Sequence, residues 1–157
     1  GTTISVYLPA SDHAVQTVRS TMPEHARGGV ETILVAEDER SLQRLLSRIL
    51  EGAGYTVLLA INGKDALHVF EKHSNEIALC LLDVVMPKVG GKAVYDILHP
   101  QYPHLRFLFS SGYSTDAIDT NFILKEDIEL IQKPYVPDAL LRKVRHILDA
   151  VHPEQEG

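Results

Sequence analysis

The sequence predicts an α/β fold built around a mostly or wholly parallel β-sheet, and two observations predict it. From residue 32 onward, short apolar runs rich in β-formers alternate with longer stretches of helical periodicity, five of each. The third run, "IALCLLD" at 77–83, is apolar at consecutive rather than alternate positions, as a strand covered on both faces should be. That run also poses a chemical problem. A single carboxylate, Asp83, closes it, and an unpaired charge inside a core is strongly unfavourable.

Taken in order, "TILVAE" (32–37) reads as the first strand. Ser41 then stands before "LQRLLSRILEGAG", where Leu42, Leu45, Leu46 and Ile49 recur at helical spacing until Gly52 and Gly54 stop the helix. "YTVLLA" (55–60) is the second strand, and "NGKDALHVFEKH" (62–73) a helix with Asn62 as its cap. After the third strand, the Pro/Gly loop "VVMPKVGG" leads into the helix "KAVYDILH". "LRFLFSS" (105–111) makes the fourth strand, followed by a weakly apolar helical stretch near 115–124. "IELIQ" (128–132) is the fifth strand, "KPYVP" a loop, and "DALLRKVRHILDAV" (138–151) a final amphipathic helix. Parallel neighbours require right-handed crossovers, and two strand orders, flavodoxin-like and Rossmann-like, suit the count equally. Both gather ligands at the carboxyl ends of the strands.

The bulk composition narrows the functional classes. The chain has 157 residues, 45% apolar and 23% charged, enough for one ordinary domain with additional length. Its net charge is −6 and no run of Lys and Arg is dense enough to form a nucleic-acid face. The longest apolar runs are strand length, far short of the roughly 20 residues that cross a bilayer. No basic segment followed by an apolar one marks a signal peptide. Cys80, the single cysteine, lies in an apolar run and has no internal partner for a disulfide, so a reduced cytoplasmic setting is expected.

The residues that close the strands carry the chemistry. The first strand ends in Glu37-Asp38, the third in Asp83, the fourth in Ser110-Ser111 and the fifth in Gln132-Lys133. In a parallel sheet these ends converge, placing three carboxylates, a hydroxyl and an ammonium at one crevice. Two like charges 4 Å apart repel by roughly 4 kcal/mol at an effective dielectric near 20. Three carboxylates therefore demand a cation, and an all-oxygen donor set with retained water favours Mg²⁺ over zinc. Alternation along the fourth strand turns Ser110 away from the face that Ser111 presents. His68, His73, His99, His104 and His146 are scattered over helices and loops without ligand spacing.

This constellation resembles the receiver domain of bacterial two-component response regulators over about residues 32–150, in one continuous register. The resemblance implies a flavodoxin-like (CheY-like) doubly wound five-stranded parallel sheet, order 2-1-3-4-5, with helices on both faces. It implies that Asp83, followed by Met86-Pro87, is the phosphoacceptor, that Ser111 and Lys133 contact the phosphoryl group, and that the Lys133–Pro134 peptide is cis. Glu37, Asp38, Asp83 and the backbone carbonyl of Val85 would hold Mg²⁺. The chemistry is sound in itself: a carboxylate can attack phosphorus to form an acyl phosphate. Phosphoryl transfer depends mostly on positioning and on neutralising charge, for which Mg²⁺ and a lysine serve. The added charge would then bias a two-state loop and helix.

Three positions depart from the family pattern. Leu130 stands where an aromatic usually acts as a rotamer switch, although Tyr113 and Tyr135 are near it in sequence. Val85 and Tyr113, two residues after Asp83 and Ser111, occupy positions that tune dephosphorylation; an apolar group and a bulky ring should impede an attacking water and give a long-lived phosphoryl group. Three alternatives stand against this reading. A receiver that no longer phosphorylates would be a docking module. A dehalogenase-type aspartate phosphatase would need a second aspartate where Val85 stands, and an FMN carrier would need a phosphate-cradling loop where "EDERSLQ" stands.

Residues 1–9, "GTTISVYLP", resemble the last strand of a histidine-kinase ATP-binding domain. Residues 10–30 read as a linker, 31–152 as the receiver and 153–157 as a tail. The implied parent is a hybrid sensor kinase, membrane-anchored or not, with this receiver at its C-terminal end. The partners implied are its histidine kinase transmitter region and a histidine phosphotransfer protein, with no nucleic acid or membrane contact by this fragment. A homodimer through exchange of the leftover strand is a further expectation.

Overall fold

A computed structural model of the chain describes residues 27–112 and 128–150. In chain order these form β1 (Thr32–Ala36), α1 (Arg40–Gly52), β2 (Thr56–Ala60), α2 (Gly63–His73), β3 (Ile77–Asp83) and α3 (Gly91–Leu98). They continue with β4 (Arg106–Ser111), β5 (Glu129–Gln132) and α4 (Pro137–Asp149). The strands form one sheet in the order β2-β1-β3-β4-β5, parallel throughout. That order decides between the two the periodicity left open. The helix expected near 115–124, the strand at 1–9 and the tail at 153–157 lie outside the described residues.

Alternation along the central strands divides the core into two layers. Leu34, Cys80, Leu82, Phe107 and Phe109 pack with Phe70 of α2 and Val94 of α3. Ile33, Val35, Leu79, Leu81 and Leu108 pack with Leu46 of α1 and Val144 of α4. Each such side chain taken fully out of water contributes about 1.5–3 kcal/mol. Cys80 is fully buried, and burial pushes its thiol well above the ordinary value, as an inert small hydrophobe requires.

Local signals set the helix ends. α1 begins at Arg40, before Ser41, because Glu39 takes the extended N-cap conformation while the Ser41 hydroxyl donates to the Glu39 carboxylate. Its buried face is Gln43, Leu46 and Leu50, whereas Leu45 is exposed, a register different from the one its leucines suggest. Gly54 ends the turn after α1 at φ +98°, a conformation that favours glycine. At α2 the expected cap is present: Asn62 accepts from the Asp65 N–H at 2.9 Å, and the Asp65 carboxylate accepts from the Ile61 N–H at 3.0 Å. Pro137 starts α4, where its missing N–H leaves no bond unmade.

Three contacts matter for what sits on this frame. Before β1, the Gly29 N–H donates to the Ala53 carbonyl at 3.2 Å, and both terminal guanidinium nitrogens of Arg145 of α4 donate to Glu31, at 2.8 and 3.2 Å. That fork holds the Glu31 carboxyl below its usual range. At the other end of the sheet, Gly91 opens α3 so close to Asp83 that a Cβ would lie 2.5 Å from the Asp83 carbonyl oxygen. Gly91→Ala is therefore expected to force α3 away from the end of β3. A destabilisation of about 1–3 kcal/mol in urea unfolding is expected, and an unchanged midpoint would refute the close approach.

Candidate functional site

The carboxyl ends of β1, β3 and β4, with the segment after β5, converge as a parallel sheet requires. Glu37 follows β1, Asp83 closes β3, Ser111 closes β4 and Lys133 follows β5; with Asp38 and Val85 they line one open crevice of about 540 Å³. Glu37 is 1% and Asp83 5% exposed, while Asp38 stands in solvent at the rim. The carboxylates of these three residues offer one oxygen each within 4.8 Å of one another, forming the metal-compatible acidic group among the described residues. No histidine joins it. His99 instead stacks on Tyr95 with ring centroids 4.7 Å apart.

One cation is shared between the two buried carboxylates. The Lys133 Nζ donates to Glu37 Oε2 and to Asp83 Oδ2, both at 2.7 Å. The second Asp83 oxygen accepts from the Val85 N–H at 3.1 Å, and Glu37 Oε1 accepts from the Glu39 N–H at 3.1 Å. Burial raises the Glu37 carboxyl above its ordinary value, and the Lys133 and Glu39 hydrogen bonds only partly offset this. Burial also works against the Lys133 charge, yet its hydrogen bonds to Asp83 and Glu37 prevail and hold it above the ordinary lysine value. The problem posed by Asp83 is thus resolved: its place at a strand end suggests an exposed carboxylate, but it is largely buried, and Lys133 pairs with it.

The backbone of β4 holds both partners in place. The Ser110 carbonyl accepts from the Val84 N–H at 3.0 Å, and the Ser111 carbonyl accepts from the Lys133 N–H at 2.8 Å. The Lys133–Pro134 peptide is cis. Ser111 lines the crevice, whereas Ser110 is fully buried and absent from the crevice wall, as strand alternation predicts. Ser110 lies against the Tyr135 phenol, which burial pushes up to about 12 and so keeps neutral. Leu130 packs on the layer below α2 and α3. Val85 is 67% exposed at the rim, and Tyr113 is outside the described residues.

Gln43 escaped the sequence reading. Its side-chain amide, buried under the acidic turn, donates to the Glu37 carbonyl at 2.6 Å and to the Ala60 carbonyl at 3.0 Å. A polar residue one turn before Leu46 and two before Leu50 was the available signal.

This fold and this acid–lysine crevice define a class of protein, and the sequence comparison agrees with them. The family profile described as the response regulator receiver domain matches residues 33–145, and the chain belongs to that family. It is 31% identical over 157 residues to sensor kinase CckA of Brucella abortus (strain 2308), an alignment covering 95% of this chain and 17% of that one. It is 30% identical over 122 residues to the response regulator receiver protein CpdR of the same strain, covering 77% of this chain and 99% of CpdR. The chain spans under a fifth of CckA, and 46% of the length of a probable transcriptional regulator, ycf27, of Galdieria sulphuraria. Among solved structures, the receiver domain of hybrid histidine kinase CckA superposes with a TM-score of 0.63 at 26% identity, covering 74% of this chain and 98% of that one. A receiver domain protein from Clostridium thermocellum gives 0.70 at 24% identity over 76% and 94% of the two chains. The chain is thus a receiver domain of two-component signalling with the fold its sequence implied. No helix among the described residues is long and apolar enough to cross a membrane.

Proposed function

We propose that this receiver accepts a phosphoryl group on Asp83 from a kinase phosphohistidine, in a Mg²⁺-dependent reaction, and changes conformation in response. The observation that carries the reading is the Lys133 ammonium held between Glu37 and Asp83 at 2.7 Å to each. A structural ion pair needs one buried acid, whereas this crevice gathers a second buried acid and a third at its rim. An Asp83 carboxylate oxygen attacks phosphorus; the P–O bond forms, the P–N bond to the donor imidazole breaks, and the imidazole leaves with its electron pair. Glu37, Asp38, Asp83 and the Val85 carbonyl would hold the Mg²⁺, which when bound neutralises charge on the transferring phosphoryl oxygens. Lys133 supplies the second positive charge, and the Ser111 hydroxyl donates to a phosphoryl oxygen once it is on Asp83. The Val85 N–H keeps the carboxylate oriented during the attack.

The donor we propose is a histidine kinase transmitter, in the same parent chain or apart from it, with a histidine phosphotransfer protein as a downstream partner. The CckA alignment, which covers 95% of this chain and so extends beyond the receiver match, supports a hybrid kinase parent for residues 1–30. A cytoplasmic setting follows from that reading.

Intact-mass spectrometry after incubation with phosphoramidate tests the proposal. One phosphoryl adduct is expected with Mg²⁺, and none without the metal or in Asp83→Asn. A folded, Mg²⁺-saturated protein that takes no adduct would instead be a docking module.

A further inference from the structure

The acidic turn after β1 is held from below by a residue outside the crevice. Gln43, 7% exposed on the buried face of α1, sends both side-chain N–H groups to main-chain carbonyls, Glu37 at 2.6 Å and Ala60 at 3.0 Å. Two carbonyl acceptors fix which end of the amide points there, because only the NH₂ can donate. The Ala60 carbonyl also accepts from the Glu37 N–H at 3.1 Å, so the end of β2, the end of β1 and α1 meet at this amide.

The Glu37 carbonyl belongs to the peptide unit that joins Glu37 to Asp38. Fixing that carbonyl fixes the peptide plane, and the plane places the Asp38 Cα and so limits where its side chain can reach. Glu37 needs little such help, since its carboxylate is already held by Lys133 and by the Glu39 N–H. Asp38 is exposed at the rim, and its orientation depends on the backbone that carries it.

We infer that Gln43 is a positioning residue for metal binding: its amide locks the Glu37–Asp38 peptide and so sets the angle at which the two acids meet Asp83. The inference rests on reading the crevice as a Mg²⁺ site. A methionine at 43 would fill the same space without donating, leaving the peptide free to rotate. An arginine offers a planar set of N–H groups able to span two carbonyls again.

The test is Mn²⁺ binding to the full chain, followed by electron paramagnetic resonance and competed with Mg²⁺, in wild type, Gln43→Met and Gln43→Arg. Affinity is expected to fall about tenfold in Gln43→Met, the lower end of the effect of outer-shell partners, and to recover substantially in Gln43→Arg. In phosphoramidate labelling, the Mg²⁺ concentration for half-maximal rate should rise by the same factor with the maximal rate unchanged. General loosening of the fold would not produce that split. If wild type binds no Mg²⁺-competed Mn²⁺, the metal reading itself fails. If wild type binds and a folded Gln43→Met binds equally well, the role of Gln43 alone is overturned. Should Gln43→Met not fold, the side-chain amide resonance of Gln43 in the wild-type protein decides. A shift saturating with the Mg²⁺ binding curve supports the inference, and an amide indifferent to Mg²⁺ refutes it.

Discussion

Replacing Lys133 with methionine is expected to cut phosphoramidate labelling of Asp83 at least about a hundredfold, the scale lost when one preorganised donor to a developing charge is removed. Without metal, the same change should destabilise the protein by about 3 kcal/mol, because it strands two buried carboxylates that shared one ammonium. Lys133 is only 15% exposed at its side chain, so water cannot take over its role without rearrangement. Millimolar Mg²⁺ should return much of the lost stability, since a divalent cation at the acids replaces the missing charge. Urea unfolding with and without Mg²⁺ measures both effects. A variant as stable as wild type in metal-free buffer would show that the pairs at 2.7 Å contribute nothing net.

The opposite trade is expected at Glu37. Burial lifts its carboxyl above the ordinary 4.5, so the folded protein binds a proton there more tightly than the unfolded chain does. Stability from this group is complete below pH 4.5 and is lost as pH rises through the folded value, leaving the ionised acid a burden at neutral pH. Glu37→Gln keeps the shape without the charge, and Lys133 retains Asp83 as its partner. The metal-free variant should therefore melt higher than wild type at pH 7, with the gap closing as pH falls below the carboxylate range. Its Mg²⁺ affinity should fall at least about tenfold, no less than the loss of an outer-shell partner causes. A melting curve at two pH values and one Mg²⁺ titration separate the effects; a variant less stable at pH 7 would mean that the Lys133 pair outweighs the cost of burial.

Much of the molecule was legible before its structure. The five strands lie within a residue of their sequence boundaries because their apolar runs leave no alternative place for them. The residues at the strand ends were legible as a group because parallel strands must deliver their last residues to one edge. α1 was harder: four leucines and isoleucines at helical spacing suggested a face that includes Leu45, yet the buried face runs through Gln43, Leu46 and Leu50. Periodicity identifies a helix more surely than its rotation, which packing against the sheet decides.

Residue type and local spacing were enough for the α/β architecture with its mostly or wholly parallel sheet, the acids, hydroxyl and lysine at the strand ends, and the cap at Asn62. Periodicity alone left two strand orders open, and the order 2-1-3-4-5 implied by the family resemblance is the one the sheet adopts; the division of one lysine between Glu37 and Asp83 and the anchoring of the acidic turn by Gln43 emerge in three dimensions alone. Lys133 is 96 residues from Glu37 and 50 from Asp83, and Gln43 is 17 from Ala60. Contacts over such separations exist only after the sheet has assembled, when crossover direction and helix rotation have brought the groups within hydrogen-bonding reach.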